Sequence, residues 1–233
     1  MDWQKWHDRY DAPESPLAWR LGVVQDRVRA ALDAAPPGPL RVVSLCAGQG
    51  RDLLGVLPTH PRREDVRARL VERDPANVAT ARRTAAALGL PGVEAVTGDA
   101  ALLDHYADLV PAHLVLLCGV FGNITDADIE RTVEACTQLC APGARVIWTR
   151  HRKAPDQVPR ICGWFENRGF VREWITPGDR VQSVTVHRFT ATPAPLQRGT
   201  RVFDFVGYDR LTRTSRQPGP DGRTVRAAGG ATP

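Results

Sequence analysis

The chain has 233 residues, enough for one core and tight for two, so one domain is expected. Its 42% apolar and 24% charged residues are ordinary for a soluble globular protein. The net charge of +5 invites a nucleic-acid reading. Lys5 and Lys153 are the only lysines, however, and many arginines fall in the C-terminal tail. No basic face is evident, so solvated arginines are favoured over a nucleic-acid partner, which stays possible. The longest apolar run, Leu114 to Gly122, is too short to span a bilayer, and Met1 to Asp11 lacks the pattern of a secretory signal. No membrane partner and a cytoplasmic location are expected. The cysteines Cys46, Cys118, Cys136, Cys140 and Cys162 are odd in number and read as free thiols, and no metal site is expected.

Asp2 to Leu32 reads as one or two helices. Trp3, Trp6, His7 and Tyr10 recur at helical spacing. Ser15 before Pro16 is a helix start, and Leu17, Leu21, Val24, Val28 and Leu32 form an apolar stripe. Ala35 to Pro39 ends it. Leu40 to Cys46 is then a buried strand, Gly48 to Gly50 a turn, and Arg51 to Leu57 a helix. Val66 to Glu72 is a second strand. Asp74 caps a helix that runs to Leu88 and closes at Gly89. Val93 to Thr97 and Ala112 to Cys118 are strands three and four. Asp126 to Leu139 is a helix, Ala144 to Thr149 a fifth strand, and Gln157 to Arg168 a helix. Phe170 to Ile175, Ser183 to Phe189 and Val202 to Tyr208 are further strands with no helix between them.

Strands alternating with helices imply parallel βαβ units, and the helix-free end implies an antiparallel edge. The fold expected is α/β: a Rossmann-like, doubly wound, mostly parallel seven-stranded sheet with N-terminal helices. The pairing of the last three strands is left open. Residues 1–36 form a helical lid or cap, 37–210 the Rossmann-like domain, and 211–233 a disordered basic tail.

The most informative stretch is Val42 to Asp52, where a strand runs into Gly48-x-Gly50 and then a helix. Glycines let the backbone turn sharply beside a ligand, and the helix start suits an anion. Glu72 ends the next strand about twenty residues on, where a carboxylate can bind ribose hydroxyls. Leu53 stands where a dinucleotide site would want a third glycine, so the loop suits a nucleoside without a pyrophosphate. Taken singly, Glu72 can be a surface carboxylate and Asp99 a helix cap.

Over roughly Arg41 to Tyr208 the chain resembles the class I S-adenosylmethionine-dependent methyltransferases. The resemblance lies in Cys46-Ala-Gly-Gln-Gly-Arg-Asp52, Leu70 to Pro75, Val96 to Ala100, Leu116 to Gly119 and Ala141 to Ala144. It implies S-adenosylmethionine as cofactor. Cys46, Ala47, Gly48, Gln49 and Gly50 would pack under its methionine and ribose portions. It further implies that Glu72 holds the ribose, Arg73 lies against the adenine, Asp99 accepts from the adenine amino group, and Ala100 contacts the ring. The backbone near Cys118 and Gly119 would face the methionine amino group. Two departures stand out: Ser44 replaces a usual acidic residue, and Cys46 a common first glycine.

Methyl transfer needs the acceptor held in line with the activated methyl, water excluded, and sometimes a base. His151 is a candidate general base or else a surface histidine, and Asn123 orients the acceptor or simply forms a turn. Tyr10, with Trp3, Trp6 and His7, is a candidate lid. Arg20 and Arg51 are candidates for the methionine carboxylate. The signatures of base-amine and covalent pyrimidine methylation are missing after strand four, so a small-molecule acceptor is favoured. The alternatives are an RNA or protein methyltransferase, a non-catalytic S-adenosylmethionine-binding protein, and a nicotinamide oxidoreductase.

Overall fold

The computed structural model describes residue 12 and residues 14–214. Helix α1 (Pro16–Asp33) starts where the Ser15 hydroxyl accepts the Ala18 N–H at 3.0 Å, with proline in the first turn. It buries Val24, Val28, Ala31 and Leu32, most of them from the apolar stripe, together with Arg20. Seven strands follow: β1 (Leu40–Leu45), β2 (Val66–Glu72), β3 (Val93–Thr97), β4 (Ala112–Leu117), β5 (Cys140–His151), β6 (Phe170–Ile175) and β7 (Gln182–Phe189). Between and after them lie α2 (Arg51–Leu54), α3 (Pro75–Ala87), α4 (Asp126–Leu139), α5 (Val158–Glu166) and α6 (Tyr208–Thr214).

The strands form one sheet in the order β3-β2-β1-β4-β5-β7-β6. The first five are parallel, and β7 runs antiparallel to both β5 and β6. Both faces are covered, which is why β4 is apolar without a break from Leu114 to Leu117. On one face Val43, Leu45, Val115, Val146 and Trp148 meet α4 and α5. On the other Val42, Leu114, Leu116 and Ile147 meet α1, α2 and α3. The architecture is the Rossmann-like one expected. Strand order reverses at β1, which pairs with β2 on one side and β4 on the other. A crevice opens at the carboxyl ends of strands at such a switch point.

The C-terminal part differs from the sequence reading. Val202 to Tyr208 is not a strand. Arg201 makes a single antiparallel bridge with Leu102, and the Val202 N–H donates to Ala101 O at 3.0 Å. The N–H groups of Val206 and Gly207 both donate to Asn123 O at 2.9 Å. With its backbone groups met by two loops, the segment crosses the sheet's carboxyl end as a strap and joins no edge. Tyr208 then begins α6, so the boundary drawn at 211 falls inside a helix. Among the expected helices, α2 stops at Leu54 and a separate 3-10 turn takes Leu57–Thr59. Strand β5 is longer than Ala144 to Thr149 at both ends. The proposed lid residues Trp3, Trp6, His7 and Tyr10 lie outside the described residues.

Candidate active site

After β1 the chain reverses through three left-handed residues, Cys46 (φ 52°), Gly48 (φ 56°) and Gly50 (φ 72°). Gly50 caps α2, and a Cβ there would meet Leu70 Cδ1 at 2.8 Å and Leu54 Cδ1 at 3.0 Å. The turn is tied to β2 by its backbone, since Ala47 N–H donates to Val71 O at 3.0 Å. The Glu72 side chain completes the tie. One carboxylate oxygen accepts the Gly48 N–H at 2.8 Å and the other the Asp74 N–H at 2.9 Å. Each oxygen keeps further acceptor capacity, enough for a vicinal diol.

A cleft of about 270 Å³ lies over this turn. Its walls include Cys46, Ala47, Gly48, Gln49, Glu72, Arg73, Asp99, Ala100, Cys118 and Gly119. The residues expected to hold a nucleoside thus line one cavity, except Gly50, which caps α2 and is not part of the lining. Asp99 Oδ1 accepts the Ala101 N–H at 3.1 Å, and Oδ2 pairs with Arg201 at 3.1 Å. The buried Tyr106 hydroxyl donates to Ala100 O at 2.9 Å and fixes that part of the wall.

Sequence reasoning missed several lining residues: Asp52, Asp74, Asn77, and Arg201, Phe203 and Phe205 from the strap. Asp74 and Asn77 follow Glu72 into α3, so their position after the acidic strand end was a usable signal. The strap residues gave none, because tertiary hydrogen bonds alone bring them there.

The pocket holds its thiols neutral. Burial pushes Cys46 well above the usual thiol range, and Glu72 and Asp99 add to the effect. Cys118 is raised by burial and by Asp52. Neither is a thiolate nucleophile at neutral pH. The Asp52 carboxyl is raised by burial, against the pull of Arg20 and a hydrogen bond from Cys118.

His151 and Asn123 do not line the cleft. His151 Nδ1 accepts the Lys153 N–H at 3.3 Å, so in the neutral ring the proton sits on Nε2. Burial, then Arg150 and Lys153, lower its pKa and keep it neutral. In this tautomer Nε2 donates and cannot accept. Asn123 Nδ2 donates to Gly119 O at 2.6 Å, and Oδ1 accepts the Tyr208 N–H at 3.0 Å. Both amide atoms hold backbone, so the side chain serves as a clip between the β4 loop and α6. Arg51 lines the cleft and donates to Gln49 Oε1 at 3.0 Å, while Arg20 is buried behind it on α1.

Residues 22–175 match the profile of a family described as "Putative methyltransferase". The chain belongs to that methyltransferase family. No curated protein matches it in sequence. Among solved structures, the methyltransferase is similar to an O-methyltransferase family protein from Burkholderia thailandensis, with TM-score 0.59 and 18% identity. The match covers 78% of this chain and 58% of that one, so the methyltransferase spans little more than half of that protein's length. It is also similar to magnesium protoporphyrin IX methyltransferase from Synechocystis PCC 6803 with bound SAM, with TM-score 0.56, 13% identity, and 73% and 80% coverage. A TehB-like SAM-dependent methyltransferase from Corynebacterium glutamicum gives TM-score 0.54 at 16% identity over 81% of this chain and 95% of that one. At these identities the likeness is one of fold.

Proposed function

We propose that the methyltransferase uses S-adenosylmethionine and transfers its methyl group directly to a small-molecule acceptor. The observation that carries this reading is the Glu72 carboxylate, which anchors the glycine turn and faces the cleft with acceptor capacity to spare. The cleft fits the cofactor by its chemistry. A left-handed turn leaves Gly48 without a side chain under the ligand, a carboxylate ends β2, and a second carboxylate, Asp99, follows β3. The bound donor supplies an already activated methyl group. Glu72 would hold the ribose hydroxyls, and Asp99 would accept from the adenine amino group. Phe203 and Phe205 add apolar wall that limits water.

A small acceptor is favoured over RNA because many arginines are engaged within the fold. Arg69 pairs with Glu94 and Asp108, and Arg168 with Glu130 and Glu134. Arg145 and Arg188 share Glu173, and Arg62 donates to the carbonyls of Ala35, Pro36 and Gly38. Paired guanidinium groups make a poor phosphate-tracking surface. A cytoplasmic location is part of the same proposal. No helix of the described residues is long and apolar enough to cross a membrane.

Calorimetric titration with S-adenosylhomocysteine tests the cofactor assignment, with NAD as the control ligand. Binding is expected for wild type, weakened at least about ten-fold in Glu72→Ala by loss of charge-assisted hydrogen bonds. Unchanged affinity in a folded Glu72→Ala would remove the ribose assignment. Preference for NAD would replace the methyltransferase reading. Salt-dependent RNA binding would move the acceptor to nucleic acid.

A further inference from the structure

The resemblance to class I methyltransferases leaves a gap at Ser44, where an acidic residue would serve the methionine amino group. Ser44 cannot fill that role by reaching the ligand. It is 4% exposed on β1, between Leu70 of β2 and Leu116 of β4, and is absent from the cleft lining. An α-ammonium drawn into the cleft still needs a counter-charge, because an unpaired buried cation is costly.

A carboxylate outside the strand ends also lines the cleft. Asp52, in the first turn of α2, lines the cavity together with Cys118 and Gly119 at the end of β4. Cys118 and Asp52 lie close enough in this wall to act on one another's titration. Arg20 acts on Asp52 from the protein side, since it is 8% exposed on α1 and does not line the cleft. Arg51, one residue earlier, does line it. An acid and a base, adjacent in sequence, thus line the same cavity, the complement of an amino-acid zwitterion. Glu72 and Asp99 are assigned to the nucleoside: the spare acceptor capacity of Glu72 is taken by the ribose diol, and Asp99 already pairs with Arg201.

We infer that Asp52 is the cofactor-binding carboxylate for the methionine α-ammonium, replacing from α2 the acid that this chain lacks at Ser44. The inference rests on the proposed use of S-adenosylmethionine. It assigns a new binding residue within that site and accounts for how the fold tolerates serine in the strand.

The test compares two ligands that differ in the aminoacyl group. S-adenosylhomocysteine carries it, and 5′-methylthioadenosine does not. Asp52→Asn keeps size and polarity and removes the charge. Titration of wild type and Asp52→Asn with both ligands should show S-adenosylhomocysteine weakened about ten-fold or more and methylthioadenosine changed less than about two-fold. Glu72→Ala should weaken both. Equal losses for the two ligands in Asp52→Asn would mean a structural role and overturn the assignment. So would undiminished S-adenosylhomocysteine binding. Asp52→Ser, which also removes the charge, takes the place of an asparagine variant that does not fold. Wild type that binds neither ligand would sink the methyl-donor reading itself. Wild type that binds methylthioadenosine as tightly as S-adenosylhomocysteine would sink only the inference.

Discussion

At the residue scale, the turn after β1 concentrates the cost of the site in three left-handed positions. Glycine adopts that conformation freely, whereas an L residue with a Cβ is strained by about 1–2 kcal/mol. Cys46 is the described non-glycine residue with positive φ, and it sits where the family commonly has glycine. Its thiol is held neutral and has no chemical claim on the position. Cys46→Gly should therefore raise stability by about 1 kcal/mol, once the extra freedom of an unfolded glycine is set against the relieved strain. A urea midpoint that falls would show that cysteine packing outweighs the strain. Gly50 predicts the opposite sign. Alanine there keeps φ at 72° and drives a methyl group against Leu54 and Leu70, both buried at 3% and 1% exposure. Gly50→Ala should lose about 2 kcal/mol or more by the same denaturation measurement. Indifference to that change would mean that the turn re-forms in another shape.

At the scale of elements, the strap from Arg201 to Gly207 is held by residues far away in sequence. Asn123 is the centre of that attachment. Its side chain joins Gly119 O to the Tyr208 N–H, and its own carbonyl accepts from Val206 and Gly207. Asn123→Ala leaves Gly119 O and the Tyr208 N–H without their partner, a cost of about 1–3 kcal/mol. Amide exchange should speed up at Val206 to Tyr208 and stay unchanged in β1 and β4. Uniform exchange across the chain would deny the clip. This attachment also explains the limits of the sequence reading. The βα alternation, the glycine turn and the Glu72 strand end are local patterns, each spelled within a dozen residues. Val202 to Val206 is apolar at most positions and looks like a strand. A pattern of that kind records burial and cannot say whether a free sheet edge lies nearby. Here the edges are β3 and β6, and the segment lies across the loops at 101–103 and 123 instead. Asp52 was hidden for a related reason. Its charge was plain, but only the seating of α2 between α1 and α3 puts it on the cleft wall.

At the scale of the whole molecule, the second half of the sheet encloses a titratable group in the core. His187 on β7 is fully buried and stacks on Phe165 of α5 with ring centroids 4.6 Å apart. Its Nδ1 accepts the Trp148 indole N–H at 3.0 Å, so the ring proton sits on Nε2. That nitrogen is buried with no partner among the described residues. Protonation would put a charge into this stack. Burial, with a smaller push from Arg172, lowers the pKa from 6.5 to about 3. Between those two values the unfolded chain binds a proton that the folded protein refuses, so stability rises with pH across that window. The neutral form is fully favoured above pH 6.5, and its advantage is lost progressively as pH falls toward 3. His113 and His151 are also lowered by burial and act in the same direction. The slope from a single such group approaches about 1.4 kcal/mol per pH unit, amounting to a few kcal/mol over the window. Carboxylates add their own slope below pH 5, so the difference between wild type and His187→Gln isolates the histidine. Glutamine still offers Trp148 an acceptor and cannot titrate. Urea unfolding at half-unit steps from pH 7.5 to 4.5 should show wild type losing stability more steeply than His187→Gln from pH 6.5 downward. Parallel curves would mean that His187 takes up its proton in the folded core, with Nε2 reached by solvent after all.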